Sequence, residues 1–344
     1  MMGEALYLTG FGLFLAKKKD IFIIRMGDKK EKIPARKIEK IVFLGPAKAI
    51  STDAIQLAIK FKIPIFFAYS NGYPYAMIFP TVAVGTVRTR RLQYEAYTNS
   101  IGAKLVIGFI RGKLMNQYTL LKLYWKSRKR IDRQTANKIR EYAEEIRKLA
   151  STLNTLSSEK IDENFRKKVL QIEARAAEAY YWPAFSLLLP KGFIFVKRDK
   201  PGAKDPVNAL LNLGYSLLFM EVAREIIYAG LDPYAGFLHS DRPGRESLIL
   251  DAMEEFRQWS VDRLVLRFLT TRKLCPEDIV GSDGKLTKNA VRMFCEEFEK
   301  VMETETLNMS GKKRTLRRHI AYQVNLIKRH LLQIEEYSPC IFAW

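Results

Sequence analysis

The feature that most constrains this chain is a single change of period at Pro80. Before it, apolar residues come in short runs bounded by turn residues; after it, they recur at three- and four-residue spacing with few Gly or Pro. The early runs are Ala5 to Leu8, Leu13 to Leu15, Ile21 to Ile24, Lys40 to Leu44, Ile63 to Tyr69 and Ala76 to Phe79, with turns at Gly27-Asp28 and Asn71-Gly72. One interruption is helical: Ser51-Thr52-Asp53 is a helix start, and Ile55, Ala58 and Ile59 follow at helical spacing. The pattern predicts an α+β chain of two domains. Residues 1–85 form a small β-sandwich-like domain with a short helix, and residues 86–344 form a larger all-α domain.

Within the second part, Leu149 to Lys168 loses periodicity and reads as a connection between helices. Asp205-Pro206 starts a helix that runs from Ala209 to Ala229, is apolar on most sides and stops at Gly230, which marks it as the core helix. No run approaches eighteen apolar residues, and Cys275, Cys295 and Cys340 lie too far apart for a disulfide framework, so they are expected in the core. These features point to a soluble, cytoplasmic protein with no membrane span.

Charge narrows the partner. Lys and Arg number 58 against 37 acids, a formal +21, so a positive field covers the surface however the chain folds. A polyanion is the natural ligand: nucleic acid first, an anionic membrane second, with nonspecific stickiness as the plain alternative. The basic clusters that could meet phosphates are Arg88, Arg90 and Arg91; Lys122 to Arg133, interleaved with Tyr124 and Trp125; Arg242 and Arg245; and Lys312, Lys313, Arg314, Arg317 and Arg318. Tyr124 and Trp125 read better as core-facing aromatics than as base-stacking groups.

Acids and one imidazole define a candidate site. His239 sits in a polar, turn-prone segment, and after the Arg242-Pro243-Gly244-Arg245 break a helix from about Ser247 brings Asp251 and Glu254 to one side. Oxygen ligands with a single imidazole suit Mg²⁺ or Mn²⁺ and phosphate chemistry; an acidic, solvated helix face is the other reading of the same spacing. Earlier, Glu173, Ala176, Ala177 and Tyr180 share a helical face, and a carboxylate among small residues is a candidate buried ligand. Glu178 competes with Glu173 on spacing alone. His319 and His330 lie in basic stretches without matching acids and read as structural or DNA-facing.

Four motifs in order, Glu-x-x-Ala-Ala-x-x-Tyr at 173–180, Asp-Pro-Val-Asn-Ala-Leu-Leu-Asn at 205–212, Gly-Phe-Leu-His at 236–239 and Leu-x-Leu-Asp-x-Met-Glu-Glu-Phe-Arg at 248–257, resemble the CRISPR-associated protein one family. The resemblance covers nearly the whole chain. It implies a metal-dependent endonuclease and integrase that joins 3′-hydroxyl ends of short duplex DNA to a CRISPR repeat, acting also on branched DNA. It further implies a homodimer built largely through the N-terminal domain, two of which are held by CRISPR-associated protein two. Matched motif to motif, Glu173, His239 and Glu254 become ligands of Mn²⁺ or Mg²⁺, and Asp251 an accessory catalytic acid. Ala174 stands where the family usually has Gly and Gln258 where Pro is common; neither removes a ligand. The rival readings are a structure-specific DNA repair nuclease and a noncatalytic nucleic-acid-binding scaffold.

Overall fold

A computed structural model describes residues 4–80, 86–199, 204–240, 242–272 and 274–343. Before Pro80 the described strands and helix are β1 (Glu4–Leu8), β2 (Leu13–Lys18), β3 (Ile21–Met26), β4 (Lys29–Pro34), β5 (Ile38–Leu44), β6 (Lys48–Ile50), α1 (Thr52–Lys60), β7 (Ile65–Ala68) and β8 (Pro74–Ile78). They build two four-stranded sheets, ordered β1-β5-β7-β8 and β4-β3-β2-β6. Each sheet is mixed: β1, β5 and β7 run parallel and β8 antiparallel, while β6 is the parallel partner of β2. The α1 helix begins as expected, with the Ser51 hydroxyl accepting from the Ala54 N–H. The sequence pattern missed β4 and β6: β4 is a charged strand, Lys-Lys-Glu-Lys-Ile-Pro, and β6 has only three residues.

The side-chain period of two explains why β5 is apolar on both faces. Ile41 and Phe43 enter a core between the two sheets with Leu15, Phe22, Leu57 and Ile65, whereas Val42 and Leu44 enter the larger core of the helical part. This sheet is therefore the middle layer, covered by the second sheet on one side and by helices on the other.

The helical part comprises α2 (Thr86–Ala96), α3 (Ser100–Arg128), α4 (Arg133–Thr152), α5 (Glu163–Ala179), α6 (Pro206–Ala229), α7 (Ser247–Met253), α8 (Arg263–Thr271), α9 (Pro276–Ile279), α10 (Lys288–Glu303) and α11 (Leu316–Leu331). Between the last two, β9 (Glu305–Leu307) and β10 (Lys313–Thr315) form an antiparallel ribbon, so this part is not wholly α. The expected connection at 149–168 is shorter: α4 continues to Thr152, and Asp162 caps α5 by accepting from the Phe165 N–H. The expected domain boundary at residue 85 lies outside the described residues. The core helix is α6, capped by Asp205, with Pro206 in its first turn and Gly230 at φ 80° closing its end. No helix among the described residues is long and apolar enough to cross a membrane.

Although α6 is mostly apolar, it carries Glu221 fully into the interior, where a cluster of charges joins strands to helices. Lys40 reaches it from β5, Arg317 from α11 at 3.1 Å and Arg224 from its own helix at 3.7 Å. Arg317 also pairs with Glu39, Glu299 and Glu303. Burial alone would raise the Glu221 carboxyl, but Lys40, Arg317 and Arg224 outweigh it and hold it far below its usual range. Arg317, expected among the basic residues that could meet phosphates, is instead engaged by four carboxylates inside the fold. Cys295 and Cys340 are buried as expected, whereas Cys275 is exposed at the start of α9.

Candidate active site

Three segments far apart in sequence meet beside the middle of α3. Glu173 comes from α5, His239 from the 236–239 turn, and Asp251 and Glu254 from α7 and the residue that ends it. Far from forming a solvated face, Asp251, Glu254 and Glu255 are 0%, 3% and 0% exposed. Glu173 is partly buried, and Glu178 is exposed, which separates the two acids that spacing alone left equal. Ala174, the departure from the family pattern, is exposed as well.

Asp251 organises the turn. Its Oδ2 accepts from the Phe237 and Leu238 N–H groups at 2.6 and 2.9 Å, and its Oδ1 from the His239 N–H at 3.1 Å. The same Oδ1 lies 2.5 Å from His239 Nδ1. A carboxylate can only accept there, so Nδ1 carries the proton and Nε2 presents its lone pair. The motif glycine matters because the chain passes so close: a Cβ on Gly236 would sit 2.6 Å from Ser247 Cβ and 2.9 Å from Asp251 Oδ2.

Lys113, which the sequence reading passed over, stands between the other two acids. Its Nζ is 2.5 Å from Glu173 Oε1 and 2.8 Å from Glu254 Oε2. Burial opposes the charge on Lys113, yet Glu254 and Glu173 outweigh it and raise its pKa. Arg257 Nη2 holds Glu254 Oε1 at 3.1 Å and its guanidinium stacks 4.7 Å from the Tyr215 ring centre. Burial would lift the Glu254 carboxyl; Arg257, Lys113 and His239 instead pull it down to about 2, so it is ionised at any working pH. The signal for Lys113 was present: Lys113, Asn116 and Gln117 are polar at helical spacing inside an otherwise apolar stretch of α3, and all are buried.

Glu255 turns the other way. It accepts from Gln323 Nε2 at 3.1 Å, from the Cys340 N–H at 2.8 Å and from the Tyr337 hydroxyl. Burial pushes its carboxyl up to about 8 despite these bonds. Asn116 completes the fastening, donating to the Glu255 and Cys340 carbonyls at 2.7 Å each and accepting from the Phe342 N–H at 2.8 Å.

These groups fit a divalent ion by donor chemistry. Glu254 Oε2 is buried, and the one described group that approaches it is the Lys113 ammonium at 2.8 Å. His239 Nε2 has no hydrogen bond among the described residues, and Glu173 has no partner among them but Lys113. Two carboxylates and a correctly tautomerised imidazole are ligands for Mg²⁺ or Mn²⁺. As the side chains stand, no three His, Cys, Asp or Glu groups among the described residues have metal-ligand spacing. Glu173 and Glu254 are drawn together through Lys113, and His239 is drawn to Asp251.

Arg257, the partner of Glu254, also lines a cavity of about 500 Å³ together with Arg198, Arg242 and Arg245 and with Tyr73 and Tyr215 as aromatic walls; Glu173, His239 and Glu254 are not among its lining residues. Arg198 is fixed there by Asn208 and Asn212, at 2.9 and 2.6 Å, which gives the 205–212 motif its place beside the site. Arg88, Arg91, Lys312, Lys313 and Arg318 are exposed; Lys313 pairs with Glu305 at 2.9 Å. Arg90 is half-buried, and Arg314 packs 4.2 Å over the Tyr322 ring. Tyr124 and Trp125 pack on the core, and Arg128 in the same run caps the Leu187 and Leu188 carbonyls. His319 and His330 are structural, each bonded to a backbone carbonyl, Thr306 at 3.0 Å and Ile101 at 3.1 Å.

Comparison with known proteins places this geometry in context. A family model described as CRISPR associated protein Cas1 matches residues 6–300. A CRISPR-associated endonuclease Cas1 of Archaeoglobus fulgidus is 36% identical over 310 residues, 88% of this chain and 89% of the relative. Another, of Korarchaeum cryptofilum, is 33% identical over 270 residues, 77% of each chain. Among solved structures, a casposase bound to integration product superposes with TM-score 0.82 at 22% identity, covering 98% of this chain and 92% of its own. A CAS1 protein from Thermotoga maritima gives 0.78 at 22%, covering 97% and 99%. At that identity, the two structures speak for the fold.

Proposed function

From the premise that this chain belongs to the CRISPR-associated protein Cas1 family, shown by the family match over residues 6–300 and by relatives at 36% and 33% identity, we propose that it is a metal-dependent DNA endonuclease and integrase of spacer acquisition. The observation that carries the reading is the meeting of Glu173 and Glu254, from separate helices, at one buried cation beside an imidazole oriented by Asp251. The substrate is DNA, with a 3′-hydroxyl as nucleophile in strand transfer and water as nucleophile in nicking.

Glu173, Glu254 and Nε2 of His239 would hold Mn²⁺ or Mg²⁺, which polarises the scissile phosphate and stabilises the charge that develops on its oxygens. Asp251 keeps the His239 proton on Nδ1 and the ring in place. Arg257 fixes one oxygen of Glu254 and leaves the other for the ligand role. Arg198, Arg242 and Arg245 border the cavity where a DNA phosphate next to the reacting one can be neutralised, and Tyr73 and Tyr215 offer faces to a nucleotide.

The N-terminal strand-rich part serves as the dimerisation domain of a homodimer, with the helical part as the catalytic domain and CRISPR-associated protein two as the partner. A solved Cas6-RT-Cas1--Cas2 complex, matched by 99% of this chain, supports that partner, and exposed Tyr69 and Tyr75, with ring centres 4.8 Å apart and planes at 47°, suit a protein contact. With purified protein, Mn²⁺ and a 3′-hydroxyl duplex, the expected product is a covalent joint to a repeat-bearing plasmid, lost in Glu173→Ala. Joining that survives Glu173→Ala overturns the site, and hydrolysis without any joining favours a repair nuclease.

A further inference from the structure

Lys113 has no task in the chemistry above, yet no other described side chain forms an ion pair with both Glu173 and Glu254. It rises from the middle of α3 with its side chain only 8% exposed, between the buried Gly112 and Leu114. An ammonium in such surroundings loses its hydration and is tolerated only where anions replace it. Here the anions are the two carboxylates: Oε1 of Glu173 at 2.5 Å and Oε2 of Glu254 at 2.8 Å. Among the described residues, Lys113 is the one ion-pair partner of Glu173, and that pair orients its carboxylate. Glu254 is secured independently, since Arg257 keeps its Oε1.

We propose that Lys113 is a built-in counter-ion at the two-carboxylate site, a positioning residue that a divalent cation must displace from between Glu173 and Glu254 in order to bind. The proposal rests on the reading of those two acids as metal ligands. The oxygens that a hard divalent ion would seek, Glu173 Oε1 and Glu254 Oε2, are the same two that the ammonium contacts, and two cations cannot share them without strong repulsion. Lys113 therefore has two effects. It holds the acids at a common point before the ion arrives, sparing the fold two facing, unpaired anions. It also lowers affinity for the ion, so that the site fills only above a threshold concentration.

Full-length protein titrated with Mn²⁺, free ion being followed by electron paramagnetic resonance, tests this directly. Lys113→Met should bind Mn²⁺ about tenfold tighter or more, and saturating Mn²⁺ should raise its melting temperature further than it raises that of the wild type. Lys113→Arg, which keeps the charge, should bind no tighter than wild type. Unchanged or weaker binding in Lys113→Met overturns the proposal. If that variant does not fold, crystals of the wild type grown with Mn²⁺ decide: Lys113 Nζ should have left at least one carboxylate, and an Nζ still bridging both beside a bound ion overturns it. Glu173→Gln separates the two levels. Weaker Mn²⁺ binding in Glu173→Gln with no change in Lys113→Met removes only the counter-ion role, whereas unchanged binding in Glu173→Gln removes the metal reading and this proposal together.

Discussion

Asp251→Asn changes one atom in a fully buried group, and the hydrogen bonds around it fix what must follow. The carboxylate receives four donors: the Phe237 and Leu238 N–H groups on Oδ2, and the His239 N–H and Nδ1 on Oδ1. An asparagine has a single acceptor oxygen. If its amide nitrogen faces Phe237 and Leu238, two buried N–H groups lose their acceptor, at about 1–3 kcal/mol each. If it faces His239, one backbone N–H is orphaned and the ring must accept at Nδ1, moving its proton to Nε2. The second orientation is the less costly, so the folded protein should lose about 1–3 kcal/mol while Nε2 changes from lone pair to donor. Loss of such an orienting partner reduces metal affinity about 10–100-fold. The assay is a Mn²⁺ titration of the variant beside urea denaturation in chelator. Mn²⁺ affinity within about twofold of wild type would refute the tautomer reasoning, whatever the stability change.

Three further outcomes follow from the geometry. Because burial lifts the Glu255 carboxyl to about 8, its stabilising contribution is complete below the unfolded carboxylate range and is lost as pH rises towards 8. Glu255→Gln, which mimics the protonated form, should flatten that loss, and parallel pH–stability curves for the two proteins would contradict it. Neutralising Lys312, Lys313 and Arg318 together should weaken DNA binding across sequences and lower the salt slope by about one per phosphate contact removed; an unchanged slope takes the ribbon and the start of α11 off the DNA surface. Arg317→Met should instead cost about 3–5 kcal/mol of stability by stripping Glu221 of a buried partner, measured by denaturation, and a change below about 1 kcal/mol would mean that Lys40 and Arg224 suffice.

How much of this was legible in the sequence depends on how locally each feature is encoded. His239 and Asp251 lie twelve residues apart across one turn, so their pairing could be expected from a turn followed by a helix. The choice between Glu173 and Glu178 could not be made from spacing: the two stand about 140° apart on the helix, and which of those sides is covered depends on how α5 packs against α3 and α4. Lys113 was easy to pass over despite its polar neighbours on α3, because a long cationic side chain in a helix is usually read as reaching solvent, and its partners lie on other elements. The run at 312–318 shows the limit of charge counting. Arg317 and Arg318 are alike in composition, yet one residue of helix turns the side chain from solvent into a nest of four carboxylates. Strands β1, β3, β5 and β7 announced themselves by apolar runs, and β4 was hidden because an edge strand can be charged throughout.

The clasp formed by Asn116, Glu255 and the 337–342 segment bears on when the protein becomes dangerous to DNA. Residue 254 is held in place by its neighbour, and that neighbour is tied to a backbone amide made 85 positions later. A chain without Tyr337 and Cys340 leaves Glu255 short of two of its donors, so the backbone that carries Glu254 loses this anchor while Arg257 still holds the carboxylate. Cutting ability should therefore depend on the 337–342 segment more than DNA binding does, and a chain cut before residue 337 should bind DNA while nicking it more slowly.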